Sequence, residues 1–75
     1  MSIKREMAKE IRVISEEIQL LEIKRSRSEA ALIESLISKS EPKKEDVEYF
    51  RAFTAEIEVK RDRIQKLTKE LEKLL

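Results

Sequence analysis

The sequence predicts an all-α protein, an antiparallel two-helix hairpin (a helical coiled-coil hairpin) that completes a four-helix bundle by dimerisation. Apolar residues recur three and four positions apart along two long segments, which is the spacing of one face of a helix. Among 75 residues, 44% are charged, none is glycine, and the single proline, Pro42, separates the two segments. Such a composition is typical of long helices or a coiled coil, and the length suits one small domain.

The first helix is predicted over residues 2–38. Its apolar stripe advances in steps of three and four, weakens at Arg25 and Ser28, and returns near Leu32. The members before this gap are Ile3, Met7, Ile11, Ile14, Ile18 and Leu21. A stripe of this kind indicates that one side of the helix is buried against another helix.

A short turn is predicted at residues 39–42. Pro42 disfavours helical geometry for Glu41 and suits the first turn of a new helix, where its missing N–H costs nothing. Ser40 is a candidate N-cap for that helix, since its hydroxyl can accept a hydrogen bond from a free backbone N–H. A connection this short places the two helices side by side and antiparallel.

The second helix is predicted over residues 43–75, so that residues 1–75 form a single domain. Its stripe runs from Phe50 to Leu74 in alternating steps of three and four, and Lys60 is the one polar member. A turn near residue 41 places Lys60 opposite Glu22. We expect Lys60, Glu22 and Arg25 to form a polar layer that fixes the register of the two helices.

The intramolecular core is predicted where the two stripes meet. Large aromatic residues of the second helix should oppose small residues of the first, as packing at constant helix separation requires. The predicted core residues are Ile11, Ile14, Ile18, Leu21, Leu32, Phe50, Phe53, Ile57, Ile64, Leu67 and Leu71.

A further set of apolar residues lies away from both stripes and is predicted to bind a partner. Its members are Val13, Leu20, Ile23, Ala31 and Val59. Single exposed apolar residues need no explanation, but Val13, Leu20 and Ile23 cluster on one helix. We expect them to bind a second copy, giving a homodimer, or another helical protein in a small hetero-complex. The protein would then be an adaptor or a chaperone-like subunit.

A basic belt offers an alternative function, the binding of RNA or DNA phosphates. It consists of Lys24, Arg25, Arg27, Arg61 and Arg63. Arginine and lysine are the usual phosphate contacts. However, acidic residues are interleaved with these positions and the net charge is only +1, which favours an ordinary helix surface.

The composition argues against catalysis and against a bound metal or cofactor. Cysteine, histidine and glycine are absent, which excludes disulfides, zinc fingers, a thiol or imidazole catalyst and a glycine-rich phosphate loop. The acidic groups Glu16-Glu17 and 45–48 lie off the stripes or near a helix start. We therefore expect no enzyme activity, no cofactor and no small-molecule substrate. The apolar runs are too short for a membrane span, so a cytoplasmic location is expected.

In length and helix–turn–helix layout the chain resembles two groups of small helical hairpins. One group is the short co-chaperones that hold the needle subunit of type III secretion systems. The other is the plasmid copy-control proteins that dimerise into four-helix bundles and bind paired RNA loops. The resemblance covers the layout alone, and it implies either a protein-binding co-chaperone or an RNA-binding dimer without assigning a role to any residue.

Overall fold

A computed structural model describes residues 2–75 and shows two α-helices in this part of the chain, with no strand. Helix α1 spans Ile3–Ile37 and helix α2 spans Lys44–Leu74. The helices pack against each other in a rod of 55 × 16 × 15 Å, which is about the length of one 35-residue helix at 1.5 Å per residue. The predicted all-helical hairpin is therefore confirmed. The predicted ranges, 2–38 and 43–75, extend one residue further at each end.

The core is a narrow row of aliphatic side chains between the two helices. Ile57 lies at its centre with none of its surface exposed. The other buried members are Ile14, Ile18, Leu21 and Leu67, and the half-buried side chains Met7, Ile11, Phe53 and Ile64 pack against them. The remaining predicted core residues, Leu32, Phe50 and Leu71, are half-buried.

In the part of α1 nearer the connection, the buried stripe contains Ser28 and Ser35 in place of aliphatic residues. Ser28 is buried here, although its side chain is polar. On α2, the ring of Phe53 stacks on the exposed ring of Tyr49, with the ring centroids 6.2 Å apart and the planes 17° from parallel. Both rings lie in the half of the hairpin that is nearer the connection.

Helix α1 ends in a Schellman motif, a standard arrangement of hydrogen bonds at a helix C-terminus. The Ser40 backbone N–H donates to the Ser35 carbonyl at 3.0 Å, and the Lys39 N–H donates to the Leu36 carbonyl at 3.2 Å. This motif places one residue in the left-handed region, where glycine is usual. Lys39 occupies that position with φ of 55°, because the chain contains no glycine.

The prediction that Ser40 caps α2 is wrong. The N-cap of α2 is Lys43, which has extended backbone geometry and makes no side-chain capping hydrogen bond. The Ser40 hydroxyl instead lies 2.9 Å from the Ser38 hydroxyl. The physical reason is that the Ser40 N–H completes the end of α1, while α2 begins only at Lys44, so Ser40 lies three residues before the N-cap position. Negative charge from Glu45 and Asp46 in the first turn of α2 is favourable to the helix dipole.

Candidate interaction surface

Two ion pairs between α1 and α2 identify one long edge of the hairpin. The Lys60 ammonium donates a hydrogen bond to the Glu17 carboxylate at 2.7 Å, and the Arg63 guanidinium donates to the Glu10 carboxylate at 3.1 Å. Glu10 and Glu17 are seven residues apart, so they lie on the same side of α1. We call this side of the molecule the first edge.

A third interhelical ion pair lies on the opposite edge and corrects the predicted register layer. The Arg61 guanidinium lies 3.8 Å from the Glu22 carboxylate, whereas Lys60 was predicted to pair with Glu22. Glu22 is five residues from Glu17, which is about 140° around a helix of 3.6 residues per turn. Lys60 therefore forms its hydrogen bond with Glu17, which lies on the same edge of the hairpin. Glu22, which was expected to face Lys60, pairs with Arg61 on the other edge. Arg25, the third predicted member of this layer, is half-buried.

The ion pair on the first edge changes the acid–base behaviour of Lys60. The hydrogen bond to Glu17 raises the pKa of Lys60 above its usual value of 10.5, and the nearby Glu56 carboxylate adds to the rise, while partial desolvation opposes it. The Lys60 side chain keeps 24% of its surface exposed. Lys60 is thus the charged member of an otherwise apolar stripe, and the carboxylates of Glu17 and Glu56 favour its protonated form.

The residues predicted to bind a partner lie mostly on the exposed surface of the hairpin. On α1, the exposed fractions are 46% for Val13, 59% for Leu20 and 53% for Ile23. Val59, the one member on α2, is 68% exposed, and Ala31 is half-buried. Val13 and Leu20 are seven residues apart and Ile23 follows after three more, so the three larger side chains of α1 share one side of the helix.

A shallow groove on the first edge adjoins this apolar surface. Its volume is about 190 Å³, and it is lined by Glu17, Leu20, Leu21, Lys24, Glu56 and Lys60. Leu20 forms an apolar wall, while two carboxylates and two ammonium groups surround it. A groove lined by charges of both signs lacks the one-signed positive field on which phosphate binding depends.

The structure does not gather the five residues of the basic belt on one face. Arg61 and Arg63 pair with acids on opposite edges of the hairpin, and Lys24 lies in the groove beside carboxylates. The remaining two, Arg25 and Arg27, are half-buried and exposed respectively. Successive residues of a helix are about 100° apart, so residues that are close in sequence, such as 24, 25 and 27, point in different directions.

A second exposed apolar patch lies at the end of α1, beside the connection. Leu36 is 75% exposed, Ile37 72% and Ile33 47%. The sequence pattern suggested that the buried stripe returns here, because Leu32-Ile33 and Leu36-Ile37 are adjacent apolar pairs. Two neighbours in a helix project about 100° apart, so adjacent apolar pairs indicate that part of the cluster lies away from the centre of the buried stripe.

Neither α1 nor α2 has the length of apolar sequence that crossing a membrane requires. Across residues 2–75 there is also no group of three or more acidic side chains placed to hold a metal ion. No protein-family model, no curated protein and no solved structure matches this chain.

Proposed function

We propose that this hairpin is a non-enzymatic protein–protein interaction module that associates through the exposed apolar side of α1. In the simplest form a second copy binds there, and the two hairpins make a homodimer of four helices. A different helical protein can take the same place in a hetero-complex. The observation that carries the proposal is the group Val13, Leu20 and Ile23, which shares one side of α1 and is about half exposed.

The thinness of the hairpin core supports this proposal. Its buried apolar side chains form one row, centred on Ile57. Small single cores are usually marginal in stability. Full burial of one Leu, Val or Ile side chain contributes about 1.5–3 kcal/mol, so covering three half-exposed aliphatic residues on each copy would stabilise the folded hairpin.

The solution mass of the purified chain tests the proposal. We expect sedimentation equilibrium to give twice the chain mass of 8.9 kDa, with association that changes little between low and moderate salt. Leu20→Lys should convert the protein to a monomer that keeps its helical circular dichroism, because Leu20 is 59% exposed within one hairpin. A charge at this position would have to be desolvated in the complex.

Gln65→Lys is the matched control, since it adds the same charge at an exposed site on α2. It should leave the mass unchanged. A Leu20→Lys protein that associates as strongly as Gln65→Lys would show that α1 is not the interaction surface. Binding of RNA or DNA that is lost as salt rises would instead support the phosphate-binding alternative.

A further inference from the structure

The outer side of α1 carries a second heptad stripe that the hairpin leaves uncovered. It begins at Lys9, ends at Ile37 and alternates steps of four and three without interruption. Every member is exposed. With 3.6 residues per turn, this outer stripe lies about 160° around α1 from the buried stripe. Its central members are Val13, Glu16, Leu20, Ile23, Arg27 and Ala30.

The outer stripe is complementary to itself when it is reversed. Two antiparallel helices pack in layers whose residue numbers add to a constant, and a centre between Leu20 and Ile23 makes that sum 43. Leu20 of one copy then packs against Ile23 of the other, and Val13 packs against Ala30. These are the apolar layers of the stripe, and each occurs twice because the arrangement is two-fold symmetric.

The charged layers of the same arrangement bring opposite charges together. Glu16 of one copy faces Arg27 of the other, and two layers further out, beyond Val13 and Ala30, Lys9 faces Glu34. A parallel pair in register would place Glu16 against Glu16 and Arg27 against Arg27, which is repulsive. The charges therefore favour the antiparallel pair and disfavour the parallel one, as charged positions do in specific coiled coils.

None of these four charged residues has an ion-pair partner within residues 2–75. The interhelical ion pairs of the hairpin use other acids of α1, namely Glu10, Glu17 and Glu22, and the remaining ion pair joins Lys44 to Glu48 inside α2. Glu10, Glu17 and Glu22 thus form ion pairs within the hairpin. The charged residues of the outer stripe form none there and are available to pair with a second molecule.

From these observations we propose that α1 binds α1 of a second copy of this chain, antiparallel, with the two-fold axis between Leu20 and Ile23. This rests on the proposed function and specifies its partner and register. The contact runs from Lys9 to Glu34, about 37 Å at 1.5 Å per residue. Each α1 then lies between its own α2 and the other α1. The four helices form a row rather than a closed square bundle, and Val59 lies outside the interface.

Charge exchange between Glu16 and Arg27 tests the register. Glu16→Arg alone places two arginines in each Glu16–Arg27 layer, and Arg27→Glu alone places two glutamates there. We expect either single variant to weaken self-association about tenfold or more, since like charges that face each other repel. An equimolar mixture of the two variants should associate as tightly as the original protein, because every charged layer of the mixed dimer then joins opposite charges.

Glu58→Arg and Arg51→Glu are matched controls at exposed positions of α2. These variants should self-associate normally, and mixing them should change nothing. Val59→Lys should also leave the dimer intact if the helices form a row. Circular dichroism of each variant checks that the hairpin is folded, which we expect because every substituted side chain is exposed.

The outcomes separate this inference from the proposed function. A mixture of Glu16→Arg and Arg27→Glu that binds no more tightly than either variant alone overturns the register. If Leu20→Lys nevertheless abolishes the dimer, association through α1 stands and only the antiparallel layer assignment fails. If the chain stays monomeric from micromolar to millimolar concentration, both the proposed homodimer and its antiparallel register are wrong.

Discussion

The two halves of this hairpin, one beside the chain ends and one beside the connection, use different residues to hold the helices together. In the half beside the chain ends, Ile14, Ile18 and Leu67 are buried, and the ion pair between Glu10 and Arg63 spans the helices. In the half beside the connection, residues 23–56, the half-buried rings of Phe50 and Phe53 take over from aliphatic side chains, and no ion pair within this range crosses between the helices.

The difference shows that a regular heptad stripe on one helix does not set the depth of burial by itself. The stripe of α2 continues without a fault from Phe50 to Leu74. Burial along it depends on what α1 offers: aliphatic side chains near Ile18, but Ser28 and Ser35 closer to the connection. The connection-side half also has the shorter loop to close, which lowers the entropy cost of keeping its helices together.

The largest effect should come from Leu→Ala exchanges that compare the two halves directly. Leu67 is 3% exposed in the half beside the chain ends, and Leu36 is 75% exposed beside the connection. We expect Leu67→Ala to lower the free energy of unfolding by about 2–5 kcal/mol, through lost burial and a cavity. Leu36→Ala should change it by about 0.5 kcal/mol or less. Urea unfolding at equal protein concentration measures both.

Because both exchanges are Leu→Ala within a helix, the change in helix propensity is the same in each. A similar loss at both positions would mean that the two halves are equally buried in solution, for instance because a partner covers Leu36. Repeating the comparison at a concentration where the chain is monomeric would separate these causes.

A smaller effect of opposite sign should come from Thr54, in the connection-side half. Its hydroxyl oxygen is buried and has no hydrogen-bond partner, which costs about 1–3 kcal/mol for a buried polar group. Thr54→Val keeps the shape and removes the polar atom, so we expect the free energy of unfolding to rise by about 1 kcal/mol. Thr68→Val is the control, since no buried unpaired oxygen is found there. Equal changes at both positions would contradict this explanation.

The sequence was sufficient to predict the two packed helices, because periodic spacing and a single proline determine them. It did not predict which acid pairs with Lys60. The position of the turn determines which residues lie at the same height along the two helices, but not on which edge of the hairpin each side chain lies. The Schellman motif was also missed, because its usual signal, a glycine, is absent and Lys39 takes the left-handed position. The outer stripe of α1 was readable in the sequence, but its charged members Glu16 and Arg27 interrupt the apolar pattern and conceal its regularity.

Lys39 lies in the connection itself, and substitutions there test the backbone rather than the core. Its φ of 55° costs a residue with a Cβ about 1–2 kcal/mol relative to the right-handed region. Lys39→Gly removes that cost but adds freedom to the unfolded chain, so we expect a net gain of about 1 kcal/mol or less in urea unfolding. Lys39→Ala retains the Cβ and should give no gain. If alanine stabilises as much as glycine, the left-handed geometry is not the cause.

The smallest effect concerns pH and the ion pair of Lys60 with Glu17. The pKa of Lys60 is raised above 10.5 in the folded chain, so its protonated form stabilises the hairpin at every pH below that value. This contribution disappears as pH rises through the raised pKa. We expect the urea midpoint to fall more between about pH 8 and pH 11.5 in the original protein than in Lys60→Met, because both share the titration of every other lysine. Lys73→Met removes an exposed lysine, and its urea midpoint should fall as steeply with pH as that of the original protein. Equal falls in all three proteins would show that the Lys60–Glu17 hydrogen bond contributes nothing to folding in solution.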